Sequence, residues 1–577
     1  MDEQQRKLAE EVLSTEEERP SFAKMLYFGE LDVSRAFPFP ISHEQQETDD
    51  LIAKLKSFAD KEIDADAIDR NAEIPSSVVK GLADLGILGM TIPKEYGGLG
   101  MSQTAYCKVM ETLAGYCCST ALYVNVHQSI GLKSVLLFGT EEQKKTWLKP
   151  LARGDFTAAF SLTEPNAGSD AGGIETTAEF DPAKNCYLIN GLKQWITNGG
   201  IAKILTVMAK TPVETSSGTE QKVTAFLVTP DMPGFKVRNK ALEKVGMRGT
   251  WTANLAFENC EVPAENILGK KGKGLRVALT VLDYGRITFG SNCTGMTRYL
   301  VKRAYEHANT RIQFGRPLAS FPLVKKKLAK MAANLYAMDA TTYLTAGLLD
   351  AGDREIMLEA AILKVFASDA SWEILYDTMQ IFGGRSFFTD QPFERLMRDA
   401  RLNMIGEGSN EVLQVFIAAV GLRDVGMELK EGMEALKSPF GNFGAIWKML
   451  QQVSGRVTAP TVPIESKELK SEANRLGSAI RNFGLTVMSV LSKYREEVVE
   501  KQFVCDRIAT AVTSLYTTAA VISKCDSELQ SGNQENLSVA KLYCTLAMDR
   551  FDQAMKSMSK NRDAELEAVS DEVSQKR

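Results

Sequence analysis

The stretch Met404–Val412, "MIGEGSNEV", contains one residue suited to acid–base chemistry, Glu407, between two glycines. It stands just before "VLQVFIAAV", whose apolar spacing predicts a helix. The glycines let a substrate approach the backbone closely and permit a turn into the helix. A carboxylate there is an effective base only if it is desolvated, and we expect burial to outweigh the opposing effect of the helix N-terminus on its pKa. Glu407 is therefore a candidate general base, and the alternative is a surface glutamate in a turn.

A second pattern suits the binding of a flat, polar ring. It comprises Phe160–Asp170, "FSLTEPNAGSD", and Trp195–Gly200, "WITNGG". Backbone N–H groups of the turn and the hydroxyls of Thr163, Ser169 and Thr197 could hydrogen-bond the edges of a ring while the Trp195 indole packs against it. The alternative is an ordinary solvent-facing β-turn beside a tryptophan of the core.

Other reactive residue types are scarce or scattered. The three histidines, His43, His127 and His307, are far apart in sequence, which disfavours a zinc site or a Ser-His-Asp triad. We interpret His127 as a hydrogen-bonded helix residue. The nine cysteines are odd in number and include no CxxC pair, which is typical of reduced thiols. The sequence therefore predicts no metal site.

The elements that must position these residues change in kind along the chain. Three- and four-residue apolar spacing predicts helices over about 44–150. Short β-rich runs predict a β-domain over about 156–268, with Asn190-Gly191 as a hairpin turn. Helical patterns return over 275–422, and the proline-bearing "TAPTVPIES" separates them from a last helical region. This order predicts a multidomain α+β protein.

Size and charge narrow the function classes. At 577 residues the chain is too long for one core, so three or four packed regions are expected. Its net charge of −5 provides no basic field for a polyphosphate, so nucleic acid is not an expected partner. Its apolar runs are shorter than the ~18 to 20 residues of a membrane span. The first residues lack a leader pattern, so we expect a cytoplasmic protein if bacterial, or a mitochondrial one if a leader has been removed.

These motifs, together with "NTRIQFG" (309–315), "QIFGGRSF" (380–387), "RLMRDARLNMI" (395–405) and "GEGSNEVL" (406–413), resemble the acyl-CoA dehydrogenase family of flavoproteins over about residues 44–425. "SFAKMLYFGELDVSRAFPFP", "HQSIGLKSVLLFGT", "LKSPFGNFG" and the long helical tail are similar to the very-long-chain branch, which carries an extra C-terminal domain. The resemblance implies FAD as cofactor and oxidation of a fatty acyl-CoA to its trans-2-enoyl form.

The resemblance also implies a domain order. We expect an N-terminal extension (1–43), an N-terminal α-helical domain (44–155), a middle β-barrel (156–270), a four-helix bundle carrying the base (271–425), a linker (426–466) and an additional C-terminal α-helical domain (467–577).

Roles for individual residues follow from the same resemblance. Glu407 corresponds to the catalytic base. The positions that contact the substrate thioester correspond to Ser169, Asp283, Arg286 and Gly408. The positions near the flavin ring correspond to Phe160, Leu162, Thr163, Gly168, Ser169, Trp195, Thr197, Ser409 and Glu411. Those that contact the diphosphate and adenosine part correspond to Arg311, Gln313, Phe314, Gln380, Gly383 and Gly384, and in the family they reach across from a neighbouring subunit. A homodimer or higher homo-oligomer is therefore implied.

Three points of function stay open at this stage. We expect a long-chain substrate and electron-transferring flavoprotein as the acceptor, with a medium-chain enzyme, an oxidase and a respiratory-complex assembly scaffold as alternatives. The helix near Leu122–His127 should close the far end of the acyl tunnel. A long-chain enzyme is expected to have small residues there, but the residues of this helix are not uniformly small. Ala445–Val457, "AIWKMLQQVSGRV", has one apolar face, so it could lie on a membrane surface or pack in a core.

Some positions depart from the family pattern. Gly406 stands where relatives usually carry Tyr or Phe, Trp251 where they have Asn or Asp, and Pro322 where some have Gln. None of the three replaces a reacting group.

Overall fold

The computed structural model describes residues 20–41, 44–216, 218–437 and 458–576. The amphipathic stretch Ala445–Val457 and His43 lie outside the described residues. Among the described residues, no helix has both the length and the apolar character needed to cross a membrane. All nine cysteines are described, and each is free and buried.

Helices form the first part of the chain, as the apolar spacing predicts. Four of them begin at a residue whose side chain caps the exposed N–H groups. For example, Ser102 accepts a hydrogen bond from the Ala105 N–H, and Thr140 forms a capping box with Gln143. A π-helical segment, Val126–Leu132, joins α7 to α8. The helices are α1 (Phe22–Tyr27), α2 (Val33–Ala36), α3 (Gln45–Glu62), α4 (Ala65–Asn71), α5 (Ser76–Asp84), α6 (Gln103–Tyr116), α7 (Cys118–Asn125), α8 (Lys133–Phe138) and α9 (Glu141–Ala152).

A sheet of eight strands follows. Its strand order is β6-β7-β3-β2-β4-β5-β8, and β1 pairs in parallel with β4. The strands are β1 (Ala158–Ser161), β2 (Thr177–Asp181), β3 (Cys186–Ile196), β4 (Ile204–Thr215), β5 (Gly218–Val228), β6 (Phe235–Asn239), β7 (Ala253–Pro263) and β8 (Ile267–Leu268). This sheet is the predicted β-domain.

The predicted hairpin turn at Asn190-Gly191 is wrong. Both residues lie inside β3, where its pairing with β7 changes register between Ile189 and Gly191. The turn from β2 into β3 comes earlier, at residues 182–185. Glycine serves close packing here, since an added Cβ on Gly191 would lie 2.4 Å from the Thr176 Oγ1 atom.

Long helices form the remainder of the described chain. The longest, α10, packs along α6, α11 and α12. The helices are α10 (Gly274–Thr310), α11 (Pro322–Asp350), α12 (Met357–Phe382), α13 (Phe393–Asn403), α14 (Asn410–Lys437), α15 (Lys470–Tyr494), α16 (Gln502–Gln530), α17 (Leu537–Ser557) and α18 (Asp563–Gln575). A short hairpin, β9 (Ile312–Gln313) and β10 (Arg316–Pro317), follows α10. The architecture confirms the predicted helical, β, helical and helical order.

The N-terminal helix α1 ties the bundle to the C-terminal helices. It contacts α12, α14, α15 and α16. The buried Lys24 ammonium group forms ion pairs with Glu355 and Asp424, and the Tyr27 hydroxyl donates to the Ile417 carbonyl over 2.8 Å. The Ala23 N–H donates to the buried Glu359 carboxylate over 2.7 Å. Residues 20–28 are therefore part of the core.

Glu359 gives a pH-dependent prediction for stability. Burial raises the pKa of this carboxyl to about 7, which exceeds its value in an unfolded chain. The folded state therefore binds the proton more tightly, so this group costs stability as pH rises from about 4.5 to 7, and the full cost is present above pH 7. We expect Glu359→Gln, which can still accept the Ala23 N–H, to raise the free energy of unfolding by about 1 to 3 kcal/mol at pH 8. The gain should vanish at pH 4.5 in urea denaturation, and an equal gain at both pH values would contradict this account.

Candidate active site

The loop between α13 and α14 carries Glu407 in a rare backbone conformation. Glu407 has φ +59° and Gly408 has φ +97°, both in the left-handed region. For a residue other than glycine this conformation is uncommon and typically marks a functional constraint. Gly406 does not share it, because its N–H still bonds the Leu402 carbonyl as a continuation of the α13 end. The expectation that both flanking glycines make the turn is therefore right only for Gly408.

The Glu407 side chain points at α10. An added Cβ on Gly285 would lie 3.1 Å from the Glu407 Oε2 atom and 2.9 Å from Ile130 Cγ2, so any larger residue would require the carboxylate and Ile130 to shift. Glu407 Oε2 is buried and has no hydrogen-bond partner among the described residues. Burial raises the pKa of Glu407, against the opposing charges of Arg286 and Lys364. Glu407 as a whole is half-buried, but its buried and unpaired Oε2 atom is suited to accept a proton.

Arg286 and Asp283 lie one turn apart on α10, next to this loop. The Arg286 Nε–H donates to the Glu407 carbonyl oxygen over 3.1 Å, and its Nη1 contacts Asp283 Oδ1 at 3.0 Å. Both side chains are buried, and burial raises the pKa of Asp283 despite the pairing with Arg286. Arg286 therefore fixes the main chain of Glu407, in addition to any contact with substrate.

The predicted ring-binding wall is assembled from β1, its following turn and the end of β3. The Gln194 N–H donates to the Thr163 carbonyl over 2.9 Å, which brings the two sequence motifs side by side. The Trp195 side chain is 60% exposed, so the alternative of a tryptophan in the core is wrong. Phe160 and Leu162 are buried beneath this surface. Of the remaining wall residues, Thr163 and Thr197 are half-buried, and Gly168 and Ser169 are exposed.

A buried ion pair that the sequence motifs did not reveal supports this wall. The Lys193 Nζ atom donates to the Glu164 carboxylate over 2.7 Å and to the Leu162 carbonyl over 2.9 Å. The Glu164 carboxylate also accepts the N–H groups of Glu175 and Thr176. Although burial opposes it, the pairing with Lys193 and these hydrogen bonds hold the pKa of Glu164 below its ordinary value. The available signal was a glutamate inside the first motif and a lysine two residues before the second.

The second predicted group lies on a different surface. Its residues are all exposed: Arg311, Gln313, Phe314, Gln380, Gly383 and Gly384. The two halves of the group meet because the His307 ring stacks on the Phe382 ring, with centroids 4.1 Å apart. At about 1.5 Å per residue, Arg311 stands about 37 Å along α10 from Arg286. The structure therefore does not bring this group to Glu407 within one chain.

The end of the base loop leads into α14. Ser409 is half-buried and its carbonyl accepts the Leu413 N–H, whereas Glu411 is exposed in the first turn of the helix.

Of the departures from the family pattern, Trp251 makes an edge contact with Tyr123 and Pro322 occupies the first turn of α11, where proline is well tolerated. Both have a structural reason.

A small cavity with a volume of about 10 Å³ lies between α7 and α10. It is lined by Ala114, Cys118, Leu122, Met247, Phe289, Asn292, Met296 and Asn403. Leu122 contacts this cavity, and the closure of an acyl tunnel by its helix stays a prediction. His127 does not line it: its Nδ1 atom accepts the Ala158 N–H, its Nε2 atom contacts the Leu88 carbonyl, and burial lowers its pKa to about 4. His127 is a hydrogen-bonded helix residue, as predicted. No group of three or more metal-ligating side chains occurs within the described residues.

Four family models match the chain and together cover most of it. The matches are to "Acyl-CoA dehydrogenase, N-terminal domain" over residues 45–155, "Acyl-CoA dehydrogenase, middle domain" over 159–260, "Acyl-CoA dehydrogenase, C-terminal domain" over 272–422 and "ACAD9/ACADV, C-terminal domain" over 467–577.

Individual relatives match over nearly the whole chain. The mitochondrial very long-chain specific acyl-CoA dehydrogenase of Bos taurus is 34% identical over 551 residues, which cover 93% of this chain and 84% of that protein. The probable acyl-CoA dehydrogenase FadE10 of Mycobacterium tuberculosis is 32% identical, covering 98% and 90%. A crystal structure of an acyl-CoA dehydrogenase complexed with FAD from Bacillus anthracis superposes with a TM-score of 0.78 at 26% identity, covering 94% of both chains. The chain belongs to the acyl-CoA dehydrogenase family, in the branch that carries the additional C-terminal domain.

Proposed function

We propose that this member of the family is an FAD-dependent dehydrogenase of long-chain fatty acyl-CoA that forms trans-2-enoyl-CoA. The observation that carries the proposal is the Glu407 carboxyl, whose Oε2 atom is buried without a hydrogen-bond partner in the described part of the chain. A buried, unpaired carboxyl costs free energy, and such groups are typical of functional sites; proton abstraction next to a thioester carbonyl is a role that this group suits.

Glu407 and the residues around it have separate roles in the proposed reaction. The Glu407 carboxylate takes the proton from the carbon next to the thioester carbonyl, and its pKa, raised by burial, makes it a stronger base than an exposed glutamate. Arg286 holds the Glu407 main chain through its carbonyl oxygen. Gly285 leaves the space that the carboxylate occupies. When bound, FAD supplies the acceptor for the hydride from the β-carbon.

The wall described above fits FAD. An exposed indole at Trp195, half-buried hydroxyls at Thr163 and Thr197, and open space at Gly168, where an added Cβ would meet no atom within 4 Å, suit a flat ring with polar edges. The FAD of the Bacillus anthracis relative supports the same assignment.

We also propose a homodimer or a higher homo-oligomer. Phe314 is 93% exposed and lies in the group around Arg311 that is remote from the wall of its own chain. Gly315, Gly383 and Gly384 have no atom within 4 Å of an added Cβ, so this surface is open to a ligand. A neighbouring subunit that presents this group to the FAD of the first explains why an aromatic side chain is exposed there.

Each turnover leaves two electrons, for which we propose an electron-transferring flavoprotein as the acceptor. The purified protein should be yellow, and anaerobic addition of palmitoyl-CoA should bleach its absorbance near 450 nm. A colourless protein that takes up no FAD would overturn the proposal. Peroxide release at the rate of substrate consumption would instead identify an oxidase.

Chain length gives a separate prediction. The long-chain assignment rests on the similarity to the mitochondrial very long-chain specific acyl-CoA dehydrogenase of Bos taurus. The apolar cavity beside Leu122, Phe289 and Met296 has a volume of only about 10 Å³, so a long acyl chain must displace side chains there. We expect kcat/KM for palmitoyl-CoA to exceed that for acyl chains of four to eight carbons by at least 10-fold, since each buried CH₂ contributes about 0.8 kcal/mol. Leu122→Trp, which adds bulk beside this cavity, should reduce the rate with palmitoyl-CoA and spare butyryl-CoA. A maximum at four to eight carbons would reject the long-chain assignment.

A further inference from the structure

Lys364 lies in the middle of α12 and is completely buried. It interrupts an apolar stretch, "AAILKVFA" (360–367), and its exposed fraction is 0%. Removing an ammonium group from water is costly, and burial lowers the pKa of Lys364 to about 8. A leucine or methionine would fill the same space at no such cost. The charge at this position therefore calls for an explanation.

The Lys364 ammonium group contacts the loop that carries Glu407. Its Nζ atom donates to the Gly408 carbonyl over 2.6 Å and to Asn410 Oδ1 over 2.8 Å. Gly408 and Asn410 stand one and three residues beyond Glu407. The contact therefore reaches the main chain at the point where it is in the left-handed conformation.

Asn410 extends this contact into a network on α12. Its Nδ2 atom donates to Ser368 Oγ over 3.0 Å and to Asp369 Oδ1 over 2.7 Å. Three side chains of α12, Lys364, Ser368 and Asp369, thus hold the end of the loop. On the opposite side, Arg286 of α10 holds the Glu407 carbonyl.

The charged groups around Glu407 come from three helices. Asp283 and Arg286 belong to α10, Lys364 and Asp369 to α12, and Glu411 to the first turn of α14. Arg286 and Lys364 are the two cations that oppose the burial-raised pKa of Glu407. Arg286 is already paired with Asp283, whereas Lys364 bonds to uncharged oxygens. Arg286 lowers the pKa of Glu407 more than Lys364 does, and Lys364 is the second cation that favours the ionised carboxylate.

We propose that Lys364 is a positioning residue for the reaction: its ammonium group clamps Gly408 and Asn410 to α12, which fixes the backbone of Glu407, and its charge favours the ionised form of that base. The inference rests on the proposed role of Glu407 and assigns a second, distinct part of the same site. It requires no contact between Lys364 and the substrate.

The test is Lys364→Met in the FAD-loaded full chain, with anaerobic flavin reduction by palmitoyl-CoA followed between pH 5 and 9. We expect a normal flavin content and a rate constant reduced about 10- to 100-fold, because a small displacement of a catalytic group costs on this scale. The acid limb of the rate profile should move to higher pH, because the lost cation no longer favours the ionised carboxylate. Lys430→Met, on the exposed surface of α14, is the matched control and should change neither quantity.

A second variant separates position from charge. Asn410→Ala removes one acceptor and keeps Lys364, so we expect a slower reduction with an unmoved acid limb. If Lys364→Met does not fold, Lys364→Arg keeps the charge and alters the contact, and it should be slow without a shifted limb. An unchanged rate constant in these variants overturns the inference. It is also overturned if Lys364→Met loses flavin binding and the fraction that still holds FAD shows an unshifted acid limb. Wild-type protein and Glu407→Gln in parallel report on the proposed function itself.

Discussion

Replacement of Glu407 by glutamine is expected to lower the rate constant for flavin reduction by palmitoyl-CoA by a factor of about 10³ or more. General acid–base catalysis contributes about 10² to 10⁴, and Glu407 is the carboxylate that, among the described residues, is both unpaired and close to Gly285. Glutamine has nearly the shape of glutamate, so the fold, the yellow colour and acyl-CoA binding should persist. Anaerobic stopped-flow absorbance near 450 nm measures the effect.

Glu431→Gln is the matched control for this experiment. It removes the same carboxylate chemistry from the exposed surface of α14, and its reduction rate should equal that of the wild type. Retained flavin reduction in Glu407→Gln would defeat the assignment of the base. Loss of FAD from Glu407→Gln would also count against it, because the glutamine should leave the wall of Trp195 intact.

Breaking the buried pair beneath that wall should give the largest loss of stability. Lys193 and Glu164 have side-chain exposures of 0% and 2%, and Glu164→Ala would leave the Lys193 ammonium group buried without a counter-charge. Removal of one partner of a buried pair typically costs about 3 to 5 kcal/mol. The N–H groups of Glu175 and Thr176 would also lose their acceptor. We expect this loss in urea denaturation, together with reduced retention of FAD.

The exposed pair Lys236–Glu258 on neighbouring strands provides the comparison. Its side chains are 58% and 53% exposed, and Lys236→Met should cost only a small fraction of the Glu164→Ala effect. The double variant Glu164→Leu/Lys193→Met should recover part of the lost stability, because it removes both charges. If Glu164→Ala were no more harmful than Lys236→Met, the buried pair would not support the wall.

The features that the sequence predicted well depend on patterns among residues that are close together in the chain. Helices and strands repeat their apolar residues every three to four or every two positions, and the motifs around Glu407 and Ser169 are contiguous. The Asn190-Gly191 turn failed because the same dipeptide suits both a tight turn and a glycine packed against Thr176. Only the neighbouring strand distinguishes the two uses.

The contacts that complete the site are not local. Lys364 and Gly408 are 44 residues apart, and Lys193 and Glu164 are 29 apart, so no periodicity connects the partners. The left-handed backbone of Glu407 was equally hidden, because glutamate has no preference for it and tertiary contacts with Arg286 and Lys364 impose it. The sequence feature that indicated such a contact was a single charged residue within an apolar run, as at Lys364.

Gly285 does no chemistry, yet the space above its Cα is occupied by the carboxylate of the base. An added methyl group would lie 2.9 Å from Ile130 Cγ2 and 3.1 Å from Glu407 Oε2, so both side chains would have to shift. Substitution at residue 285 is therefore expected to displace the base. A survey of random variants should find residue 285 less tolerant than the exposed positions of α10, and enzyme engineers who wish to relocate the base could begin by filling this site.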